Sequence, residues 1–297
     1  MSLDKTLNTA TNQRHYDYIA EAWQHLLGQN FHWGYFESDD EPLESATINL
    51  IDKLVDPIAI EPGQHLLDVG CGIGEPARYL AEKFGCRVTG FSTSPEGIDR
   101  ALSITKQAGL TDTVKFEVRD ALNNQLDGQT FDSVFLLEMS HLIRDKLKLL
   151  IESSRPLRTG GVLSLCDLTL QRRLSAKEIV AHHSEIQILE RCFGKARLEP
   201  LGYYVRAFEH CGYEDIQAID ISNRVTPTIR HWRDNAITNR AALVEHVSRQ
   251  DVDDFVRSCD ILQELYSSGA WGYGIISGRK SSPAEIPFDP EFDKALF

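Results

Sequence analysis

The sequence predicts an α/β protein: a doubly wound, mostly parallel seven-stranded sheet with an N-terminal helical cap and an α-helical insertion. Three observations carry this expectation. Short apolar runs alternate with helix-period segments from residue 65 to 170, the rhythm of parallel sheets with crossover helices. A glycine cluster, Gly70, Gly72 and Gly74, sits between the first apolar run and the first of those helices. After residue 170 the alternation breaks into long amphipathic helices, and a last strand follows only near the end.

In chain order, residues 1–58 form the cap or lid. Over 15–28, Tyr18, Ile19, Ala22, Trp23 and Leu26 fall at helical spacing and Gly28 can stop the helix; a second helix spans 43–55. Residues 59–170 form the Rossmann-like core. Its strands fall at 65–70, 86–92, 114–121, 131–138 and 162–170, and its helices at 76–85, 97–109 and 144–157. Gly160-Gly161 is expected to turn the chain into the fifth strand. A helical insertion covers 171–199. The core continues over 200–225 with a helix at 200–211 and a strand at 213–222. A second insertion, 226–269, reads as helices at 226–249 and 251–269; the last strand lies within 270–280, and 281–297 is an acidic, proline-containing tail expected to be an arm or disordered.

The 297 residues carry a formal charge of −13, which argues against a nucleic-acid partner because phosphate recognition needs clustered Lys and Arg. No apolar stretch is long enough to span a bilayer and the N-terminus has no apolar run, so neither membrane nor secretion is expected. Six scattered cysteines without a C-x-x-C pair read as buried thiols of a cytoplasmic protein. The remaining partner is a small-molecule acceptor, and the extended tail would suit a crossing to a second copy in a homodimer.

The loop Leu67-Asp68-Val69-Gly70-Cys71-Gly72-Ile73-Gly74 has the spacing G-x-G-x-G. Glycines let the backbone turn tightly and approach a ligand, and the helix that follows offers free N–H groups. The dinucleotide fingerprint places its third glycine one residue later, where this chain has Glu75. With no Lys or Arg in the loop to offset Glu75, a pyrophosphate fits poorly, which disfavours a nicotinamide oxidoreductase. A ligand without phosphate fits better, and Asp68 can hold a cationic amine directly or through water.

DVGCGIGEPA resembles the S-adenosylmethionine loop of class I methyltransferases, whose pattern is acidic-x-G-x-G-x-G, and the likeness covers residues 60–170. Pro76-Ala77 and the upstream Phe31-His32-Trp33-Gly34-Tyr35-Phe36 narrow it. Together they are similar to tocopherol C-methyltransferases, sarcosine and dimethylglycine N-methyltransferases and rebeccamycin-type sugar O-methyltransferases. The resemblance implies S-adenosyl-L-methionine as cofactor, leaving as S-adenosyl-L-homocysteine, with Asp68, Gly70, Gly72 and Gly74 at the loop. It puts Ser92 where most of the family has a ribose-binding acid; the subgroup tends to Ser or Thr there. Gly97 stands where the subgroup often has Gln, so no contact is carried over to it. Asp120 and the N–H of Ala121 take the adenine, unless Asp120 merely caps a turn. Glu138 ends the fourth strand, facing cofactor or substrate, with a solvated strand end the equal alternative. Tyr16 and Trp33 cover the cofactor or are plain core; an aromatic face suits a sulfonium.

Methyl transfer needs alignment, exclusion of water and, for an alcohol acceptor, a base. His141, past the fourth strand, and Asp167, in the fifth, match the pair that the rebeccamycin-type enzymes are thought to use. Their plain alternatives are a helix cap and a strand-end hydrogen bonder. His is the side chain poised for proton transfer near neutrality. The expected function is therefore an O-methyltransferase of specialised, natural-product metabolism. An N- or C-methyltransferase on the same scaffold stands beside it, including one acting on a prenyl diphosphate held by Arg172, Arg173, Arg230 and Arg233. So does a non-catalytic S-adenosylmethionine-binding protein. No metal is expected: His182 and His183 point about 100° apart on a helix, and with Glu185 they read as a solvated face. Trp232, Tyr203, Tyr204, Phe193 and Phe255 read as core packing.

Overall fold

The computed structural model describes residues 32–172 and 175–281. The expected helix at 15–28, Tyr16, Phe31, Arg173 and the tail beyond residue 281 lie outside them. The elements in order are α1 (Leu43–Val55), β1 (His65–Val69), α2 (Glu75–Phe84), β2 (Arg87–Ser92), α3 (Pro95–Gln107), β3 (Val114–Val118), β4 (Phe131–Leu137), α4 (Lys146–Ser154) and β5 (Leu157–Leu170). There follow α5 (Ala176–Ala181), α6 (His183–Phe193), α7 (Leu201–His210), β6 (Tyr213–Asp220), α8 (Ser222–Val225), α9 (Pro227–Thr238), α10 (Arg240–Leu243), α11 (Arg249–Ser267) and β7 (Trp271–Lys280). They pack as two compact units. One takes in the described residues up to Leu50, Leu170–Leu198 and Ile221–Tyr273; the other takes in Ile51–Thr169, Glu199–Asp220 and the described residues from Gly274.

The second unit holds the seven-stranded sheet, in the order β3-β2-β1-β4-β5-β7-β6. β1 pairs in parallel with β2 and β4, β2 with β3, and β4 with β5; β6 and β7 form the antiparallel hairpin at the edge. The central strands read as near-continuous apolar runs because both faces are covered, and Leu67, Val69, Phe91, Val134, Leu136, Leu163 and Leu165 are all buried. The order reverses direction at β1, so the ends of β1 and β4 form the crevice where open α/β sheets bind ligands. Local sequence sets the helix limits. Pro76 starts α2 and Gly85, in the left-handed conformation, stops it; Ser94 caps α3 by accepting from the Gly97 N–H at 3.0 Å.

The fifth strand departs from expectation. Gly160-Gly161 does not turn the chain into the strand but lies within it, since β5 already pairs with β4 at Leu157–Phe131. The register slips between Phe131 and Ser133. A side chain at Gly161 would lie 2.5 Å from the Asp132 carbonyl oxygen, so the glycines mark a bulge rather than a loop.

The first unit is helical. Trp33 is buried among Trp232, Tyr266 and Tyr273, with ring centroids 5.1, 5.3 and 5.8 Å away. The Gly34 N–H donates to the Thr228 hydroxyl at 3.0 Å and ties the aromatic stretch to α9. Of the two long helices expected, the one over 251–269 forms as the single helix α11, while the one over 226–249 is divided into α9 and α10. The start of α11 has a stated cause that the periodicity missed: Ser248 and Asp251 form a capping box.

Candidate active site

Asp68 lies at the end of β1, 2% exposed, and its Oδ2 has no hydrogen-bond partner among the described residues. Burial without a partner pushes its carboxyl up to about 8. A buried carboxyl left without a donor is costly to the fold. The loop beyond it supplies the approach. Gly70, Gly72 and Gly74 have φ of 87°, 52° and 79°. A Cβ at Gly74 would fall 2.1 Å from the Phe116 ring, so that glycine is required by packing. A Cβ at Gly72 would meet nothing within 4 Å among the described residues, so there only the left-handed backbone favours glycine. The Gly70 and Cys71 N–H groups both bond the Phe91 carbonyl at 3.0 Å and fix the loop on β2. This donor set fits a ligand with a cationic amine and no phosphate.

Asp167 is the opposite case. It is fully buried in β5, and every oxygen is used. Oδ2 accepts from the Ser140 hydroxyl at 2.6 Å and the His141 N–H at 2.9 Å; Oδ1 accepts from His141 Nδ1 at 2.7 Å and the Leu168 N–H at 2.8 Å. Burial alone would raise this carboxyl, but the His141 charge and these bonds outweigh it and hold it below the usual carboxylate range. An ionised Asp167 only accepts, so Nδ1 of His141 carries the proton of that bond and Nε2 is the ring nitrogen left for another partner. His141 follows β4 in a short turn, Ser140–Leu142, and is 8% exposed. The two residues singled out from sequence are thus brought together as a dyad whose geometry suits a base.

The other predicted residues fall as follows. The Ser92 hydroxyl is half-buried at the end of β2 and accepts from the Ser94 N–H at 3.3 Å. Asp120 is exposed and does cap a turn, Oδ1 accepting from the Leu122 N–H at 2.9 Å; Ala121 beside it is buried in the sheet core. Glu138 is half-buried at φ 50°, a left-handed conformation unfavourable for Glu. Trp33 lies in the aromatic cluster of the first unit. Tyr16 is outside the described residues. The arginines considered for a diphosphate are engaged within the chain: Arg172 with Glu178, Arg230 with the Asp39 carbonyl and Arg233 with Asp260. His182 pairs with Glu185, which also meets Arg257. All six cysteines are buried thiols.

Sequence reasoning missed three residues around the dyad. Ser140 stood next to a chosen histidine and could have been found on that ground. Tyr204 read as core in preference to pocket lining, and its hydroxyl lies 2.8 Å from Ser140 Oγ. Lys146 is buried and donates to the carbonyls of Ser140 and Ile143 at 3.0 and 2.7 Å; a lysine in an amphipathic helix gives no such signal.

Comparison with known proteins matches this geometry to a family. The mycolic acid cyclopropane synthetase model matches residues 3–266. The 27-O-demethylrifamycin SV methyltransferase of Amycolatopsis mediterranei (strain S699) is 29% identical, over 89% of this chain and 95% of its own length. The norajmaline N-methyltransferase of Rauvolfia serpentina is 28% identical, over 69% of this chain and 74% of its own. Among solved structures, mycolic acid cyclopropane synthase CmaA1 complexed with SAH and CTAB has the same fold, with a TM-score of 0.82 at 20% identity, covering 92% of this chain and 98% of that one. The chain belongs to the mycolic acid cyclopropane synthetase family, and is a methyltransferase that uses S-adenosylmethionine.

Proposed function

We propose that the chain methylates a hydroxyl of a small molecule of specialised metabolism, in the cytoplasm, with the cofactor's amine end at Asp68 and the acceptor's oxygen at His141. The dyad is the observation that carries this reading: a histidine held by an ionised, fully bonded aspartate is what an alcohol acceptor needs and an amine does not. S-adenosylmethionine, when bound, supplies a methyl group already activated on its sulfonium. Asp68 would pair with the ammonium of its methionine portion, and the open face at Gly72 would admit its backbone-like atoms. Ser92, Asp120 with the Ala121 N–H, and Glu138 would hold the remainder. Nε2 of His141 would take the acceptor's proton, and Asp167 would hold the ring and stabilise the charge that forms on it. The engaged arginines speak for a neutral acceptor over a diphosphate.

The test is an acceptor screen with labelled S-adenosylmethionine on the wild type and His141→Ala. The reading expects transfer to an alcohol that falls steeply in the variant while S-adenosylhomocysteine still binds. Transfer to an amine or carbon that is indifferent to His141 would replace it with the N- or C-methyltransferase reading. Binding with no transfer to any acceptor would favour the non-catalytic one.

A further inference from the structure

The Asp167–His141 pair is the visible end of a longer buried chain. Ser140 Oγ lies between the Tyr204 hydroxyl at 2.8 Å and Asp167 Oδ2 at 2.6 Å. The direction of these bonds is fixed by chemistry. An ionised carboxylate has no proton to give, so Ser140 donates to Asp167 and Tyr204 must donate to Ser140. Tyr204 is itself fully buried, and burial followed by the nearby Asp167 charge pushes its phenol well above the ordinary range, so it keeps that proton. Every hydrogen along the line therefore points towards Asp167. The main chain of the same turn is held separately by Lys146, which donates to the carbonyls of Ser140 and Ile143. A three-residue turn after a strand has little rigidity of its own. Here it is tied at its serine side chain from α7 and at its carbonyls from α4.

We infer that Tyr204 and Lys146 are positioning residues for the methyl-transfer base: they hold Ser140 by its side chain and main chain, and through it hold Asp167 against His141. The inference rests on the reading of His141 as base for its catalytic consequence, but its structural content stands apart from it. Tyr204 touches none of the reacting groups in this arrangement. Its effect passes through a bond shared along a chain, where each donor polarises the next.

The test uses the full-length protein and the low-field proton resonance of His141 Nδ1–H, assigned by its loss in His141→Ala. Tyr204→Phe keeps the ring and removes only the hydroxyl. The resonance should move upfield and exchange with solvent roughly tenfold faster, the size of one hydrogen bond. Ser140→Ala should do more and Ser140→Thr should restore part of the effect. Lys146→Met should broaden the same signal. S-adenosylhomocysteine affinity should stay within about twofold in Tyr204→Phe, and with an acceptor in hand kcat should fall about tenfold with KM unchanged. A wild-type resonance and exchange rate in both Tyr204→Phe and Ser140→Ala would overturn the inference. Should Ser140→Ala not fold, the same result in Tyr204→Phe alone overturns it. An unchanged turnover in His141→Ala would sink the base reading and leave the resonance test standing.

Discussion

Two buried aspartates in strands of one sheet are treated in opposite ways. Asp167 in β5 receives bonds from Ser140, from His141 twice and from the Leu168 N–H, and sits below its ordinary range. Asp68 in β1 has an oxygen bonded to nothing among the described residues and rises to about 8. Burial is nearly the same; the supply of donors differs. A carboxylate supplied with donors is held ionised, while one without them among the described residues is held protonated. Under the proposed function, the contrast separates the acceptor end of the site from the cofactor end.

The largest expected effect falls on the satisfied side. His141→Ala or Asp167→Asn should cut turnover by roughly 10²–10⁴-fold, with S-adenosylhomocysteine binding within about twofold, measured by steady-state kinetics and calorimetry. Equal losses of turnover and binding would erase the separation between the two ends.

On the unsatisfied side, Asp68→Asn should weaken S-adenosylhomocysteine by roughly 10–100-fold, the loss of one charge-assisted contact, while raising the melting temperature of the empty protein at pH 8 by roughly a few degrees. A variant that loses affinity and stability together would make Asp68 structural.

The loop sharpens the comparison further. Gly74→Ala should destabilise by about 1–3 kcal/mol, because its Cβ meets the Phe116 ring. Gly72→Ala meets nothing, so its cost to folding should be only the left-handed backbone, about 1–2 kcal/mol, and its main loss should be cofactor affinity. Thermal melts with and without S-adenosylhomocysteine separate the two.

The same contrast is readable without mutation, in the pH dependence of stability. Between about pH 4, where an unfolded Asp titrates, and about 8, where Asp68 titrates in the fold, the unfolded chain has lost a proton that the folded chain keeps, so the empty protein should lose stability as pH rises. Asp167 acts in the other direction. Its contribution is present above about pH 4 and is lost only as pH falls through its lowered folded value. Melting curves from pH 5 to 8 should slope downward in the wild type and flatten in Asp68→Asn.

Much of this was legible in the sequence. The βα rhythm and the glycine spacing predicted the sheet and its loop because both depend on local pattern, and family membership bears out the cofactor that the loop suggested. His141, past the fourth strand, and Asp167, in the fifth, were singled out by place and by resemblance to the rebeccamycin-type pair, and they do meet. Other features depend on distant parts of the chain and were not legible. The Gly160-Gly161 bulge is decided by how closely Asp132 approaches β5. The Tyr204 hydroxyl reaches Ser140 across 64 residues. Trp33 carries an aromatic pattern that serves core and lid alike, and only its neighbours Trp232, Tyr266 and Tyr273 give its surroundings. The boundary between the two long helices was expected within two residues of the Ser248 cap, whereas the division of the first of them at Asn239 was not, because the apolar period runs on through it.

The central claim is that Asp68 waits protonated for a cation. Calorimetry of S-adenosylhomocysteine binding at pH 7, repeated in buffers of different ionisation heat, counts the protons released. With the Asp68 carboxyl at about 8 in the empty protein, the account predicts release of roughly 0.9 proton per ligand bound in the wild type and close to none in Asp68→Asn. Binding of wild-type strength with no proton released would contradict it.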